Sequence, residues 1–182
     1  MQRKDLFRLH TMSVLMLAFA SSGLAPALVA QEMHHGGPST PSSSLILRTS
    51  DGKTATVGAA DLAALPHKSV TVFNAHSKVN ETYSGVPLSD LLTKVQVPQG
   101  EQVKGALFMT GVIAEGTDGY KVLYSLAEVD PTIHTGEVIV ADSLDGRKLD
   151  KDGAFKLVST EEKRPARWVR NLKSIDVVSV KP

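Results

Sequence analysis

Short apolar runs separated by turn residues dominate the chain from residue 45 onward. Some runs, such as residues 173–180, alternate between apolar and polar positions, and others are continuously apolar. Both patterns favour β-strands at these lengths. The pattern predicts strands over residues 45–49, 54–57, 70–73, 81–83, 104–113, 119–124, 137–141, 155–159 and 173–180. The chain is therefore predicted to fold as one compact domain that is rich in strands.

The helices predicted from the same pattern are few and short. Pro87 is suited to the first position of a helix, where its missing N–H leaves no bond unmade. The apolar side chains that follow recur at i, i+3, i+4 and i+7, which places them on one buried face: Leu88, Leu91, Leu92 and Val95. Ser125 and Glu128 have the spacing of a capping box at the start of another helix. Together the elements predict an α+β fold that is mixed and mainly β.

Residues 1–30 have the pattern of a secretory signal peptide. Three basic residues precede an apolar run over 12–20, and small residues lead up to Ala30. The run breaks at residues 21–23, well short of the ~20 apolar residues that a membrane-spanning helix requires. The pattern predicts export to a periplasmic or secreted location without a permanent membrane span, and an uncleaved anchor is the alternative.

Composition separates the rest of the chain into two parts and excludes several functions. Residues 31–44 are rich in Pro, Gly and Ser and are predicted to be a flexible tether, which leaves 45–182 as the folded domain. Without residues 1–30 the chain has 17 basic and 18 acidic residues, and this balance does not favour binding to nucleic acid. The chain has no cysteine, which excludes disulfides, c-type haem attachment and iron–sulfur clusters.

Three segments of the chain carry distinctive motifs in a distinctive order. They are Tyr83-Ser-Gly-Val-Pro-Leu-Ser-Asp-Leu-Leu92, Thr117-Asp-Gly-Tyr-Lys-Val-Leu-Tyr-Ser-Leu-Ala-Glu128 and Arg164-Pro-Ala-Arg-Trp-Val-Arg-Asn-Leu-Lys-Ser-Ile175. In order and spacing they resemble the sulfite-oxidase-like family of molybdopterin-binding oxidoreductases. The resemblance implies a sulfite-oxidase-like molybdopterin-binding fold over residues 45–182, with molybdopterin as the expected cofactor.

The same resemblance implies a catalytic metal held by a protein thiolate, and this chain has none to offer. Soft thiolate ligands bind and tune molybdenum in a way that harder side chains do not reproduce. In the family the cysteine lies about a dozen residues before the glycine that matches Gly85, which corresponds to Phe73 or Asn74 here. The resemblance therefore implies a fold and a ligand pocket, while the composition argues against the usual chemistry of the family.

A cluster of basic residues surrounds the only tryptophan, Trp168. The cluster consists of Lys163, Arg164, Arg167, Arg170 and Lys173. In one interpretation Arg167 binds a phosphate or sulfo group and Trp168 forms a flat wall for a planar ligand. The resemblance also implies that this segment lies near the phosphate of the cofactor. In the other interpretation Trp168 packs in the core and the charges face water.

Three further residues are candidates for the same cleft. His76 lies beside the position of the family's metal ligand, and it could hold a harder metal, act as an acid or base, or be an ordinary loop histidine. Asp118 and Tyr120 lie in the second family-like segment and could line the cleft. Asp118 is equally suited to a turn with Gly119.

These observations leave three functional hypotheses open. The first is a non-catalytic binding module for a small anionic or planar ligand or for a partner protein. The second is a molybdopterin-dependent oxidoreductase that acts on a small oxyanion or sulfoxide without a cysteine ligand. The third is a metal-binding protein that uses His76 with nearby carboxylates. Nothing in the sequence selects a substrate, because one scaffold hosts many functions.

Overall fold

The computed structural model describes residues 40–180, so the predicted signal segment and most of the predicted tether lie outside this part of the chain. Ten strands form two sheets of five strands each. The strands are β1 Ser44–Thr49, β2 Thr54–Gly58, β3 Lys68–Asn74, β4 Val79–Pro87, β5 Thr110–Gly116, β6 Lys121–Ser125, β7 Val138–Leu144, β8 Arg147–Lys148, β9 Lys156–Ser159 and β10 Leu172–Ser179. The predicted mixed, mainly β architecture is confirmed.

The first sheet has the strand order β2-β1-β10-β5-β6. Strands β1 and β10 are parallel, with Ile46 opposite Ser174, and the other neighbours are antiparallel. The alternation predicted for β10 is present, because Ile175 and Val177 are buried while Asp176 is partly exposed. One face of this sheet therefore packs into the main hydrophobic core.

The second sheet carries the side chains of the candidate site. Its order is β3-β4-β7-β8, and β9 pairs with the first half of β7. Alternate residues of β7 belong to different clusters, since Val138 and Val140 face the main core while Ile139 and Ala141 face a smaller one. The smaller cluster also contains Val70, Val72, Tyr83, Val158 and Trp168. This sheet is thus covered on both faces.

The helices are α1 Ala59–Ala63, α2 Leu88–Leu92 and α3 Leu126–Val129, with short 3₁₀ turns over 93–95, 100–102, 105–109 and 165–167. The predicted apolar face of α2 is confirmed, since its three leucines and Val95 are buried. The predicted capping box is also confirmed. Ser125 Oγ accepts a hydrogen bond from Glu128 N at 3.2 Å, and Ser125 N donates to the Glu128 carboxylate at 2.7 Å.

The strand predicted over residues 104–113 is wrong in its first half. Residues 105–109 form a 3₁₀ helix, and the strand begins only at Thr110. Gly105 has a φ of +58°, a left-handed conformation that interrupts an extended chain, and the side chains of Phe108 and Met109 are about half exposed. The apolar residues at 105–109 therefore do not form the buried strand that the sequence pattern predicts.

Ser42 lies in the segment predicted to be a tether, but it is already buried against the domain. Its carbonyl accepts a hydrogen bond from Ala154 N at 3.3 Å.

Within residues 40–180, none of the helices has the length and apolar character needed to cross a membrane.

Candidate functional site

A cavity of about 880 Å³ opens on the smaller-cluster side of the second sheet. It is bounded by the loop between β3 and β4, by β9 and by the segment that contains the 3₁₀ turn 165–167. Its lining includes the basic side chains of His76, Lys156, Arg164 and Arg170 and the acidic side chains of Glu81 and Asp152. Tyr83 and Trp168 contribute aromatic walls.

Lys156 forms the innermost cation of this cavity. It lies in β9, a strand whose four residues are all buried, and only 8% of its side chain is exposed. Its Nζ donates hydrogen bonds to Tyr83 Oη at 2.8 Å and to Asp152 Oδ2 at 2.7 Å. The ammonium also lies 4.6 Å from the centroid of the Tyr83 ring and 5.4 Å from that of Trp168. Paired charge and aromatic faces together offset the cost of burying the ammonium.

The hydrogen-bonded chain continues from Tyr83 to a buried carboxylate, Glu81. The Tyr83 hydroxyl donates to Glu81 Oε2 at 2.7 Å, and Glu81 also accepts from Asn74 Nδ2 at 2.9 Å and from Ser77 Oγ at 2.8 Å. Burial raises the pKa of Glu81, but these hydrogen bonds outweigh it, so the net pKa is lowered. Burial and the neighbouring carboxylate raise the pKa of Tyr83. At neutral pH Glu81 is therefore ionised and Tyr83 is protonated.

The loop after β3 sets the rim of the cavity. Asn74 Oδ1 accepts a hydrogen bond from His76 N at 2.9 Å, which is the geometry of an Asx turn, and this turn leaves the His76 side chain exposed at the rim. Asn74 lies where the resemblance places the family's thiolate, and its amide is bonded to Glu81. The adjacent Phe73 is 58% exposed and does not line the cavity. This position thus carries an amide that is hydrogen-bonded to Glu81, in place of a sulfur ligand.

Trp168 is among the residues that line the cavity, and it does so from within the core. The residue is 6% exposed, and its indole N–H donates to the carbonyl of Ser159 at 2.9 Å. Its ring meets Tyr83 edge to face, with the centroids 5.6 Å apart and the planes at 77°. Trp168 therefore packs in the core, as one of the two interpretations of the sequence expected. Binding of a planar ligand on its ring stays a prediction.

Arg167 lies outside the residues that line the cavity. Its guanidinium is 4.4 Å from the centroid of the Tyr124 ring, and it donates to Glu128 at 3.0 Å and to Glu162 at 2.7 Å. Burial lowers the pKa of Arg167, but the hydrogen bonds to Glu162 and Glu128 outweigh it and the net pKa is raised. The predicted anion-binding arginine is thus already paired with two carboxylates.

Asp118 and Tyr120 also lie apart from the cavity lining. Asp118 Oδ1 accepts a hydrogen bond from Tyr120 N at 2.9 Å, and Gly119 between them has a φ of +82°. The Tyr120 hydroxyl donates to the carbonyl of Ala166. The structure therefore places these two residues in a turn that contacts the segment leading to Trp168, and their role in ligand binding stays a prediction.

Several residues of the cavity were not selected from the sequence: Glu81, Tyr83, Asp152 and Lys156. The one usable signal was Lys156, a charged residue within the otherwise apolar run of residues 155–158. A lysine in such a run needs a buried partner, because Lys is almost never fully buried unless it is paired. Asp152 lies only four residues before Lys156, whereas Tyr83 and Glu81 lie far away in the sequence and are brought to Lys156 by the pairing of β4 and β9 with β7.

The residues of the cavity do not fit a protein-ligated molybdenum centre. The chain has no thiol, and within residues 40–180 no three His, Asp or Glu side chains are grouped so that they could hold a metal ion. The cations Lys156, Arg164 and Arg170 fit the anionic part of a cofactor or of another ligand. The chemistry that the arrangement supports is therefore anion binding.

Comparison with known proteins agrees with the fold. The chain is similar to the crystal structure of the sulfane dehydrogenase SoxCD from Paracoccus pantotrophus, with a TM-score of 0.57 and 19% sequence identity. The match covers 74% of this chain but only 38% of that chain. No protein-family profile and no curated protein sequence matches. The comparison therefore supports the sulfite-oxidase-like fold predicted from the three segments, and the function must be argued from the cavity itself.

Proposed function

We propose that this domain is a non-catalytic binding module whose cavity takes a small anionic ligand. The observation that carries the proposal is the convergence of Lys156, Arg164 and Arg170 on a cavity that has no thiolate and no metal-binding cluster among the described residues. Three cations outnumber the two carboxylates that share the lining. Such an excess of positive charge in a concave site attracts and retains anions.

The cavity also suits an organic ligand more than a bare inorganic ion. Its volume of about 880 Å³ lies within the range of small-molecule pockets. Apolar side chains that include Ala75, Leu144 and Pro165 line it beside the cations. An anionic group held by the cations could therefore place an apolar body against these residues, which adds affinity by removing apolar surface from water.

Titration calorimetry of the purified chain with phenyl phosphate tests the proposal. We expect saturable binding that Lys156→Met weakens at least about ten-fold, because the innermost cation is lost. Lys151→Met is the matched control, since Lys151 is exposed and does not line the cavity. Circular dichroism establishes that each variant is folded. Equal affinity of wild type and folded Lys156→Met would refute the proposal.

The second candidate function is a molybdopterin-dependent oxidoreductase that works without a cysteine ligand on a small oxyanion or sulfoxide. It is supported by the shared fold with a sulfane dehydrogenase. Elemental analysis and an absorbance spectrum of the protein from a host that makes the cofactor decide between the two. Near-stoichiometric molybdenum with a pterin spectrum would favour the oxidoreductase, and its absence would favour the binding module. For either function we propose a periplasmic or secreted location, on the pattern of residues 1–30.

A further inference from the structure

A second, smaller cleft of about 520 Å³ adjoins the candidate cavity. It lies along the turn between β7 and β8 and the segment that follows, residues 144–152. Leu144 and Asp152 line both the cleft and the cavity, so the two depressions meet at these residues. A ligand held in the cavity can therefore extend past Leu144 into the cleft.

Cross-strand pairing places Arg147 of this cleft on the face where the cavity opens. Tyr83 of β4 lies opposite Leu144 of β7, and Leu144 lies opposite Arg147 of β8. Directly opposed residues of antiparallel strands project from the same face of a sheet. Tyr83 belongs to the smaller cluster and Leu144 packs against it, so Arg147 continues this row beyond the aromatic wall of the cavity.

The strand register also gives the spacing between Arg147 and Lys156. Because β4 occupies one edge of β7, β8 and β9 follow one another along the other edge, where Arg147 pairs with Leu144 and Lys156 pairs with Ala141. These two β7 residues are three positions apart, which is at most about 10 Å along a strand. A bulge in β7 between them keeps both on the side of the smaller cluster. The two cations therefore lie at different ends of one elongated depression.

Three cations of the cleft are exposed and form no ion pair within residues 40–180: Arg147, Lys148 and Lys151. Three carboxylates share the lining, and two of them already have partners. Asp152 accepts from Lys156 Nζ at 2.7 Å, and Asp145 Oδ1 accepts a hydrogen bond from Thr82 N at 3.0 Å. Cations therefore remain for an incoming anion, and a guanidinium can bind a phosphate through two parallel N–H groups.

We infer that the cavity and the cleft form one elongated site for an organic ligand with two separated anionic groups. One group binds at Lys156 in the cavity, the other binds at Arg147 in the cleft, and the body of the ligand lies across Leu144. This inference rests on the proposed anion-binding function and names its ligand class. A ligand that reaches both ends gains affinity because its second contact is intramolecular. A single anionic group, or two adjacent ones, reaches only one end.

Titration calorimetry with three probes that share a benzene ring tests the inference: phenyl phosphate, para-phenylene bisphosphate and ortho-phenylene bisphosphate. At about pH 8 the two bisphosphates carry nearly the same charge, since the second pKa of a phosphomonoester is about 6. Their affinity ratio therefore reports the separation of the phosphates and not the general attraction of a basic site for anions. We expect wild type to bind the para isomer at least about ten-fold more tightly than the ortho isomer or phenyl phosphate.

Arg147→Met removes the cation of the cleft and keeps a long side chain. It should weaken binding of the para isomer about five- to ten-fold and leave the affinity for phenyl phosphate within about two-fold of wild type. Lys94→Met is the matched control, since Lys94 is exposed and lines neither the cavity nor the cleft. Its affinities for all three probes should equal those of wild type. Circular dichroism establishes that both variants are folded.

The isomer ratio of wild type keeps the inference falsifiable if Arg147→Met does not fold. Equal affinities of wild type for the two isomers would overturn the elongated site. An equal loss of phenyl phosphate and para-isomer binding in folded Arg147→Met would also overturn it, because Arg147 would then serve the cavity itself. If phenyl phosphate does not bind to wild type, the proposed function fails instead.

Discussion

The ammonium of Lys156 and the hydroxyl of Tyr83 form a hydrogen bond of 2.8 Å whose direction is fixed. An ammonium only donates, so the hydroxyl must accept from it, and the same hydroxyl donates onward to Glu81 at 2.7 Å. A neutral phenol thus links a buried cation to a buried carboxylate. The bond explains why a tyrosine that is 1% exposed can keep a polar atom at the centre of the smaller cluster.

Tyr83→Phe should destabilise the protein by about 1–3 kcal/mol, because it leaves both Lys156 and Glu81 one hydrogen bond short in a buried setting. Urea unfolding followed by circular dichroism measures the loss. Tyr120→Phe is the control, since its hydroxyl also donates to a partner but the residue is 41% exposed. A loss for Tyr83→Phe no larger than that for Tyr120→Phe would contradict the buried chain.

The ionised state of Glu81 predicts a loss of stability in acid. Its pKa is lowered in the folded protein from an ordinary value of 4.5, with hydrogen bonds from Tyr83, Asn74 and Ser77 outweighing burial. A carboxyl group with a lowered folded-state pKa contributes stability that is complete above its unfolded pKa. That contribution is lost as the pH falls from about 4.5 through the folded-state pKa.

Glu81→Gln should therefore reduce the slope of unfolding free energy against pH below about 4.5, measured by urea unfolding at a series of pH values. The variant is expected to be less stable at neutral pH, where the ionised carboxylate contributes fully. Glu101→Gln is the control variant, because it removes an exposed carboxyl group that forms no ion pair within residues 40–180. An unchanged slope for Glu81→Gln would contradict the assignment.

Local patterns explain what the sequence predicted correctly. The buried face of α2 and the Ser125 capping box depend on residues within about one or two turns of each other. The alternation in β10 likewise reflects a single strand packed on a core. The strand expected before Thr110 was wrong because Gly105 adopts a left-handed conformation that a hydrophobicity pattern does not record.

The cavity depends on contacts that no local pattern contains. Glu81 and Lys156 lie 75 positions apart, and the pairing of β4 and β9 with β7 brings both of them to the Tyr83 hydroxyl that links them. The choice between Arg167 and Arg170 depends on backbone direction, because the 3₁₀ turn ends at Arg167 and the chain is extended at Trp168. Spacing along the sequence could locate the basic cluster but not the two members that line the cavity, Arg164 and Arg170.

Gly85, which the sequence identifies only as part of a motif, should tolerate no side chain. A Cβ at this position would lie 2.2 Å from the carbonyl oxygen of Val140 and 2.4 Å from Ala141 Cα, and neither backbone atom can move aside cheaply. Gly85→Ala should therefore cost more than about 3 kcal/mol or prevent folding, measured by urea unfolding. Ser84→Ala, one residue away, should cost less than about 1 kcal/mol. A stable Gly85→Ala protein would contradict the close packing of β4 on β7.

Arg170→Ala and Arg167→Ala distinguish the two arginines that flank Trp168. Arg170 lines the cavity and lies near Asp152, so its removal should weaken phenyl phosphate binding by about three- to ten-fold with little change in stability. Arg167 is held by Glu128, Glu162 and the Tyr124 ring outside the cavity. Its removal should lower stability by about 1 kcal/mol, discounted for its partial exposure, and leave the affinity within about two-fold of wild type.

Calorimetric titration of both variants gives the affinity for phenyl phosphate, and urea unfolding gives the stability independently. The separation matters because adjacency to Trp168 in the sequence favours Arg167 as the ligand-binding residue, whereas Arg164 and Arg170 are the arginines that line the cavity. If Arg167→Ala kept its stability but lost binding, the guanidinium would have to leave Glu128 and Glu162 when ligand is present. The ligand site would then extend beyond the cavity, towards the face where Arg167 lies over Tyr124.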